Sequence, residues 1–133
     1  MTPFLQPVAG GSTTGWCLRN ATRECLIASS FRCLPAATRR WRRLGRRADL
    51  EPGRAIVLAS CHAVCTFGAG STPDVLLVDD VGLILLARPR MARWSLARHH
   101  RASAAIELPP GTLGRTHTMQ GDRIELEPCQ RHG

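Results

Sequence analysis

The fold of this chain is decided at Glu107–Leu126, which reads ELPPGTLGRTHTMQGDRIEL. Glu107-Leu108 closes a strand, Pro109-Pro110-Gly111 forces a turn, and Thr112–Thr118 has room for one or two helical turns. Gly121-Asp122 supplies a second turn, because glycine lends backbone freedom and the aspartate accepts hydrogen bonds from nearby N–H groups. Arg123-Ile-Glu-Leu-Glu then alternates strictly, which predicts Ile124 and Leu126 inward and Arg123, Glu125 and Glu127 toward water.

The same grammar continues upstream. Trp94–Ala97 and Ala104–Leu108 read as short strands. The apolar runs Asp74–Asp79 and Gly82–Ala87 flank Asp79-Asp80-Val81, a strong hairpin signal, since acidic residues and glycine tolerate the turn backbone. Ala55–Ala59 is a short buried strand. Trp16–Thr22 and Cys25–Phe31 form a further pair across the polar turn Asn20–Glu24. Between these, Pro35 opens a helical pattern in which Ala37, Trp41 and Leu44 share one face, with Gly45 suited to its end. Residues 1–14 are rich in Pro, Gly and Thr without periodicity and read as a disordered leader. Residues 15–128 form one domain and 129–133 a tail. About seven short strands, one basic helix and a short C-terminal helical turn argue against βαβ units. The expected class is mainly β (α+β), a compact barrel-like or curled sheet.

At 133 residues the chain buries a sizeable core without disulfide or metal. All 18 basic residues are arginine, a bias that fits a bacterial GC-rich genome. The net charge of +8 and pI near 10.8 favour acidic partners. Arg39, Arg40, Arg42, Arg43, Arg46 and Arg47 lie within nine residues, and 88–101 holds five more arginines. The six cysteines are an even number, but the N-terminus lacks the basic start and apolar run of a secretory signal. Reduced thiols and a cytoplasmic location are therefore expected. The longest stretch without Asp, Glu or Arg, Ala55–Pro73, is too polar for a membrane span.

Four blocks carry a family resemblance: Leu18–Arg23 (LRNATR), Arg40–Leu58 (RWRRLGRRADLEPGRAIVL), Cys61–Asp80 (CHAVCTFGAGSTPDVLLVDD) and the closing Glu107–Leu126. In order and approximate spacing the chain resembles the uncharacterised bacterial and archaeal family called domain of unknown function 192. The resemblance implies a compact, largely β fold. It implies no activity, and an association with envelope, pilus or secretion machinery only through the company some relatives keep. Where that family has His-Thr-Phe and then a Met before the Asp-Val strand, this chain has Cys65-Thr66-Phe67 and Gly68–Thr72. The resemblance thus points to an altered pocket near Cys65, Thr66, Phe67 and Asp74.

Each candidate for chemistry has a plainer reading beside it. Cys61-His62-x-x-Cys65 has zinc-ligand residue types but lacks a second close pair, and an extended 61–65 puts Cys61, Ala63 and Cys65 on one face with His62 opposite. No metal and no cofactor are expected. A Cys/His nucleophile lacks an orienting third group, so no catalytic residue is assigned. Asp79-Asp80 reads as a turn. Asp74 caps a turn or enters the pocket, the former being favoured. Gly68-x-Gly70 lacks the lysine and helix of a phosphate loop. On a helix, Arg39, Arg43 and Arg46 or Arg47 form a basic stripe beside Arg40, and guanidinium forks suit phosphate and carboxylate. The expected role is a non-enzymatic binding module for an acidic partner, such as an acidic protein surface. Nucleic-acid binding through 39–47 is the first alternative, weakened by the absence of a base-stacking set. An enzyme with a pocket near Cys65 and Asp74 is the second.

Overall fold

The computed structural model describes residues 3–34, 50–129 and the backbone of Arg42–Arg43. Among them are eleven strands: β1 (Trp16–Asn20), β2 (Cys25–Ala28), β3 (Ser30–Leu34), β4 (Arg42–Arg43), β5 (Arg54–Ala59), β6 (Ala63–Cys65), β7 (Asp74–Val78), β8 (Ile84–Arg88), β9 (Leu96–Arg98), β10 (Ala104–Leu108) and β11 (Ile124–Pro128). One helix, α1 (Thr112–Thr116), and a 3₁₀ turn, Gln6–Val8, complete the list.

The central sheet runs β3-β5-β10-β7-β8, parallel at β3–β5 and antiparallel elsewhere. A three-stranded sheet, β11-β1-β2, lies on one side and another, β4-β6-β9, on the other. The fold is therefore mainly β, and the described strands close no barrel. Because the central sheet is covered twice, its inner strands carry unbroken apolar runs: every residue of β7 and of β10 is buried. Alternation still sorts them. Leu76, Val78, Val57, Ile106 and Leu108 join Leu18, Ile27 and Ile124 of the first flanking sheet. Val75, Leu77, Ile56 and Leu58 join Val64 and Ala97 of the second.

The hairpin expected at Asp79-Asp80-Val81 forms between β7 and β8. One Asp79 carboxylate oxygen accepts the N–H groups of Val81 (3.0 Å) and Leu83 (2.9 Å). The closing segment also folds as read: β10, the Pro-Pro-Gly turn, α1, and β11 paired with β1. Ile124 is buried and Leu126 half-buried, while Glu125 is exposed. Asp122 binds across the chain. It accepts hydrogen bonds from Asn20 Nδ2 (3.0 Å), Arg23 Nε (2.8 Å) and the Met119 N–H (3.1 Å). Burial works against its ionisation, but those donors win and hold the carboxyl below its usual range.

Three expectations need correction. The leader is not wholly disordered: Phe4 and Val8 are buried in the first core cluster, and the Phe4 N–H bonds the Asp80 carbonyl at 2.9 Å. Phe4, just before the 3₁₀ turn, sits against the β7–β8 turn and Val8, at the end of the 3₁₀ turn, joins the same core cluster, a placement that no periodicity within 1–14 announces. The helix expected over 36–47 does not hold at Arg42–Arg43, which form β4 and pair in parallel with Val64 and Cys65. A sheet edge satisfies the backbone there, overriding the helical pattern. The rest of that helix, with Arg39, Arg40, Arg46 and Arg47, lies outside the described residues. Finally, Trp94 stands outside β9, with φ of +61°, and the strand starts at Leu96.

Candidate ligand-binding surface

Two loops meet at the open end of the β7–β8 hairpin, opposite its turn. One, residues 66–73, links β6 to β7; the other, residues 89–95, links β8 to β9. Buried polar side chains lace them together. The Thr66 hydroxyl bonds the Ala92 carbonyl (2.6 Å) and accepts the Ser95 N–H (3.1 Å). The Thr66 backbone exchanges bonds with Ser95 O (3.0 Å) and the Trp94 N–H (3.2 Å), and the Ser95 hydroxyl bonds the Ala92 carbonyl. From the other side, Asp74 accepts the N–H groups of Arg90 (2.7 Å), Gly111 (3.2 Å) and Leu113 (2.8 Å). The Met91 N–H adds a bond to the Pro73 carbonyl (2.8 Å). Thr66 and Asp74 thus pin the second loop at both ends.

That lacing holds an unusual backbone. Arg90 (φ +46°) and Trp94 (φ +61°) both lie in the left-handed region, where a bulky residue is an outlier that surrounding contacts must impose. The result is display. Trp94 is 71 % exposed and stacks on the exposed Phe67, with ring centroids 5.9 Å apart and planes inclined by 23°. Leu96, 51 % exposed, continues the apolar strip along β9. Arg88, Arg90, Arg93 and Arg98 are exposed around it, and Arg93 Nη2 donates to the Gly70 carbonyl at 3.3 Å. Among the described residues none of these four arginines pairs with a carboxylate. No Asp or Glu occurs between residues 52 and 73 or between 81 and 106, and Asp74 is buried with both carboxylate oxygens engaged. Among the described residues, loops 66–73 and 89–95 and β9 expose arginines and no carboxylate.

The four expected pocket residues are therefore neighbours in space, but they differ in exposure. Cys65 is fully buried between β4 and β9, Thr66 and Asp74 are buried fasteners, and only Phe67 reaches the surface. Cys65 and Asp74 are both buried, with both Asp74 carboxylate oxygens engaged by backbone N–H groups. Cys61, Ala63 and Cys65 are buried with His62 exposed, as an extended segment requires, and no metal-binding cluster of His, Cys, Asp or Glu occurs among the described residues. The sequence reading missed Trp94 and its arginines by placing the tryptophan in a strand. The available signal was the composition of Arg88–Trp94, RPRMARW, three arginines and an aromatic without a carboxylate.

Two hollows lie elsewhere. One of about 260 Å³ is lined by Phe31, Arg32, Arg54, Ile56 and Glu107 among others. An apolar one of about 670 Å³ is lined by Leu5, Val8, Ala9, Cys33 and Ala59 among others. Both adjoin the chain ends that lead into 35–49. No described helix is long and apolar enough to cross a membrane.

No family model matches the chain, and no curated protein matches it either, so the resemblance to domain of unknown function 192 rests on the four sequence blocks alone. Two solved structures share the fold. A protein from Sinorhizobium meliloti 1021, described as a "putative transcription regulator", superposes with a TM-score of 0.67 at 17% identity, covering 83% of this chain and 90% of that one. A protein of unknown function from Novosphingobium aromaticivorans DSM 12444 gives a TM-score of 0.60 at 15% identity, covering 94% and 93%. At such identities the likeness is one of architecture, and this chain is a small β protein of that shared fold.

Proposed function

We propose that this chain is a non-enzymatic binding module that engages an acidic partner through the surface of loops 66–73 and 89–95. The observation that carries this reading is the exposed Phe67–Trp94 stack set among Arg88, Arg90, Arg93 and Arg98, on loops that Thr66 and Asp74 hold fixed. A preformed cationic surface gives up little conformational entropy on binding, so its charge converts into affinity. The 39–47 arginine run belongs to the same reading, because β4 shares a sheet with β6 and β9. Membership of domain of unknown function 192 is compatible with this role, since that resemblance brings no reaction with it.

The test is charge reversal scored by fluorescence anisotropy against labelled heparin, polyglutamate and an oligonucleotide. The triple variant Arg90→Glu/Arg93→Glu/Arg98→Glu is expected to lose at least roughly tenfold in affinity for whichever polyanions bind. The pair Arg32→Glu/Arg115→Glu, exposed on β3 and α1, should change it much less. Equal losses in the two variants, or no binding by the unaltered protein, would remove the proposal.

A further inference from the structure

We infer that the acidic partner is a single-stranded nucleic acid, with an unpaired base stacking on Trp94 and phosphates lying against Arg93 and Arg98. This rests on the binding-module reading and narrows it. Three features of the surface separate single strands from other polyanions.

The first is the aromatic platform. A sulfated sugar or an acidic peptide presents no aromatic face of its own to an indole, so its contact with the arginines is chiefly ionic. A base has a π-face to lay on it, and stacking is the recognition mode that tolerates any base. Trp94 combines 71 % exposure with a ring orientation fixed by its stack on Phe67, so the outer indole face is presented rather than folded down. The second is spacing. Trp94 precedes β9, where Leu96 and Arg98 are exposed and Ala97 between them is buried. At about 3.3 Å per residue, Leu96 and Arg98 stand roughly 7 Å apart along β9, with the aromatic stack just before them in the chain. An extended strand with alternating bases and phosphates follows such a line. The third is shape. The platform caps a three-stranded sheet of short strands, and the described helix, α1, has five residues, so no helix among the described residues has the length to fill a major groove. Loops and a small sheet with outward aromatics suit unstacked bases instead.

The backbone strain points the same way. The left-handed conformation at Trp94 is conformationally costly for a tryptophan and would cost a glycine nothing. A bulky aromatic kept there, with no burial to justify it, is explained by what its exposed face does.

The experiment measures anisotropy of labelled oligothymidylate of about 16 nucleotides, the duplex of matching length, heparin and polyglutamate, with the full chain. Salt is varied from about 50 to about 200 mM. Single strands should bind more tightly than the duplex and should quench tryptophan fluorescence. Trp94→Ala should lower single-strand affinity roughly tenfold while leaving heparin affinity within about twofold. Trp94→Phe should recover most of the loss. Arg93→Glu/Arg98→Glu should weaken both ligands and flatten the salt dependence, each lost phosphate contact taking about 0.7 from the log–log slope. Circular dichroism of each variant establishes that it is folded. Duplex binding equal to or tighter than single strand, or an unchanged single-strand affinity in Trp94→Ala, overturns the inference. Preferential polyglutamate binding also overturns it and assigns an acidic protein partner, leaving the module reading standing. Only a failure of every polyanion removes both.

Discussion

The two ends of the β7–β8 hairpin are built from the same residue types and put them to opposite uses. At the turn end, Asp79 closes the turn, Phe4 caps the core, and Gly82 lies against the Ile124 backbone. Nearby, Asp122 gathers Asn20, Arg23 and Met119, so the arginine is drawn into the structure. At the open end, Asp74 binds three backbone N–H groups and no arginine side chain, so the guanidinium groups of Arg88, Arg90, Arg93 and Arg98 remain outside. An aspartate that pairs with arginine consumes a surface charge. One that takes only backbone N–H groups organises a loop and leaves the charges for a partner.

Substitutions at the two ends should therefore separate. The largest loss is expected for Gly82→Ala. Its Cβ would stand 2.0 Å from the Ile124 carbonyl oxygen, and φ is +86°. A cost of about 3 kcal/mol or more should appear in denaturant melts, and a loss under about 1 kcal/mol would show that the turn end is slack. Asp74→Ala comes next, at about 2–4 kcal/mol, because it orphans three N–H groups, at least one of them buried. It makes the surface more positive yet should weaken polyanion binding, through loss of the fixed loop. Tighter binding would mean that charge alone governs the open end.

Asp122→Asn should cost about 1–3 kcal/mol, since an ionised acceptor of three bonds becomes neutral. The pH dependence has a definite sign. With the folded carboxyl held below its ordinary 3.8, its stabilisation is full above that value and is lost as pH falls through the lower folded one. Acid titration of the variant should show a shallower decline over that window. Trp94→Gly should be neutral or stabilising by up to about 1 kcal/mol, because glycine accepts the left-handed backbone, while single-strand binding falls. Destabilisation beyond about 1 kcal/mol would turn Trp94 from a displayed group into a structural one.

The smallest effect is expected at Cys17. Burial above all, then the hydrogen bond to Cys129 and the nearby Cys129 and Glu127 charges, push its thiol from 9.0 up to about 12. The folded state keeps the proton longer than the unfolded one, so stability present below pH 9 declines as pH rises toward 12. Cys17→Ala should flatten that decline, and mild alkylation near neutral pH should spare Cys17.

Much of this architecture is readable from local pattern. Asp79-Asp80-Val81 between apolar runs gives the hairpin, Pro109-Pro110-Gly111 and Gly121-Asp122 give the turns, and alternation at Arg123–Glu127 gives the facing of Ile124 and Leu126. Each of these is decided by residues within a few positions of one another, so the chain carries the information locally. The binding surface is different. Thr66 meets Ser95 across twenty-nine positions and Asp74 meets Leu113 across thirty-nine. Those bonds hold Trp94 out of the strand its neighbours suggest. Likewise Phe4 becomes core because the β7–β8 turn lies against it.

By itself, then, the sequence determined a β-rich chain, its main hairpin, its closing segment and an excess of arginine. Only the tertiary structure decided that Asp74 and Thr66 are fasteners, that Arg42–Arg43 take a sheet edge instead of a helix, and that Phe67 and Trp94 share one exposed face. Local propensity is set by neighbours in sequence, whereas exposure and side-chain pairing are set by neighbours in space. The function proposed here depends on the second kind.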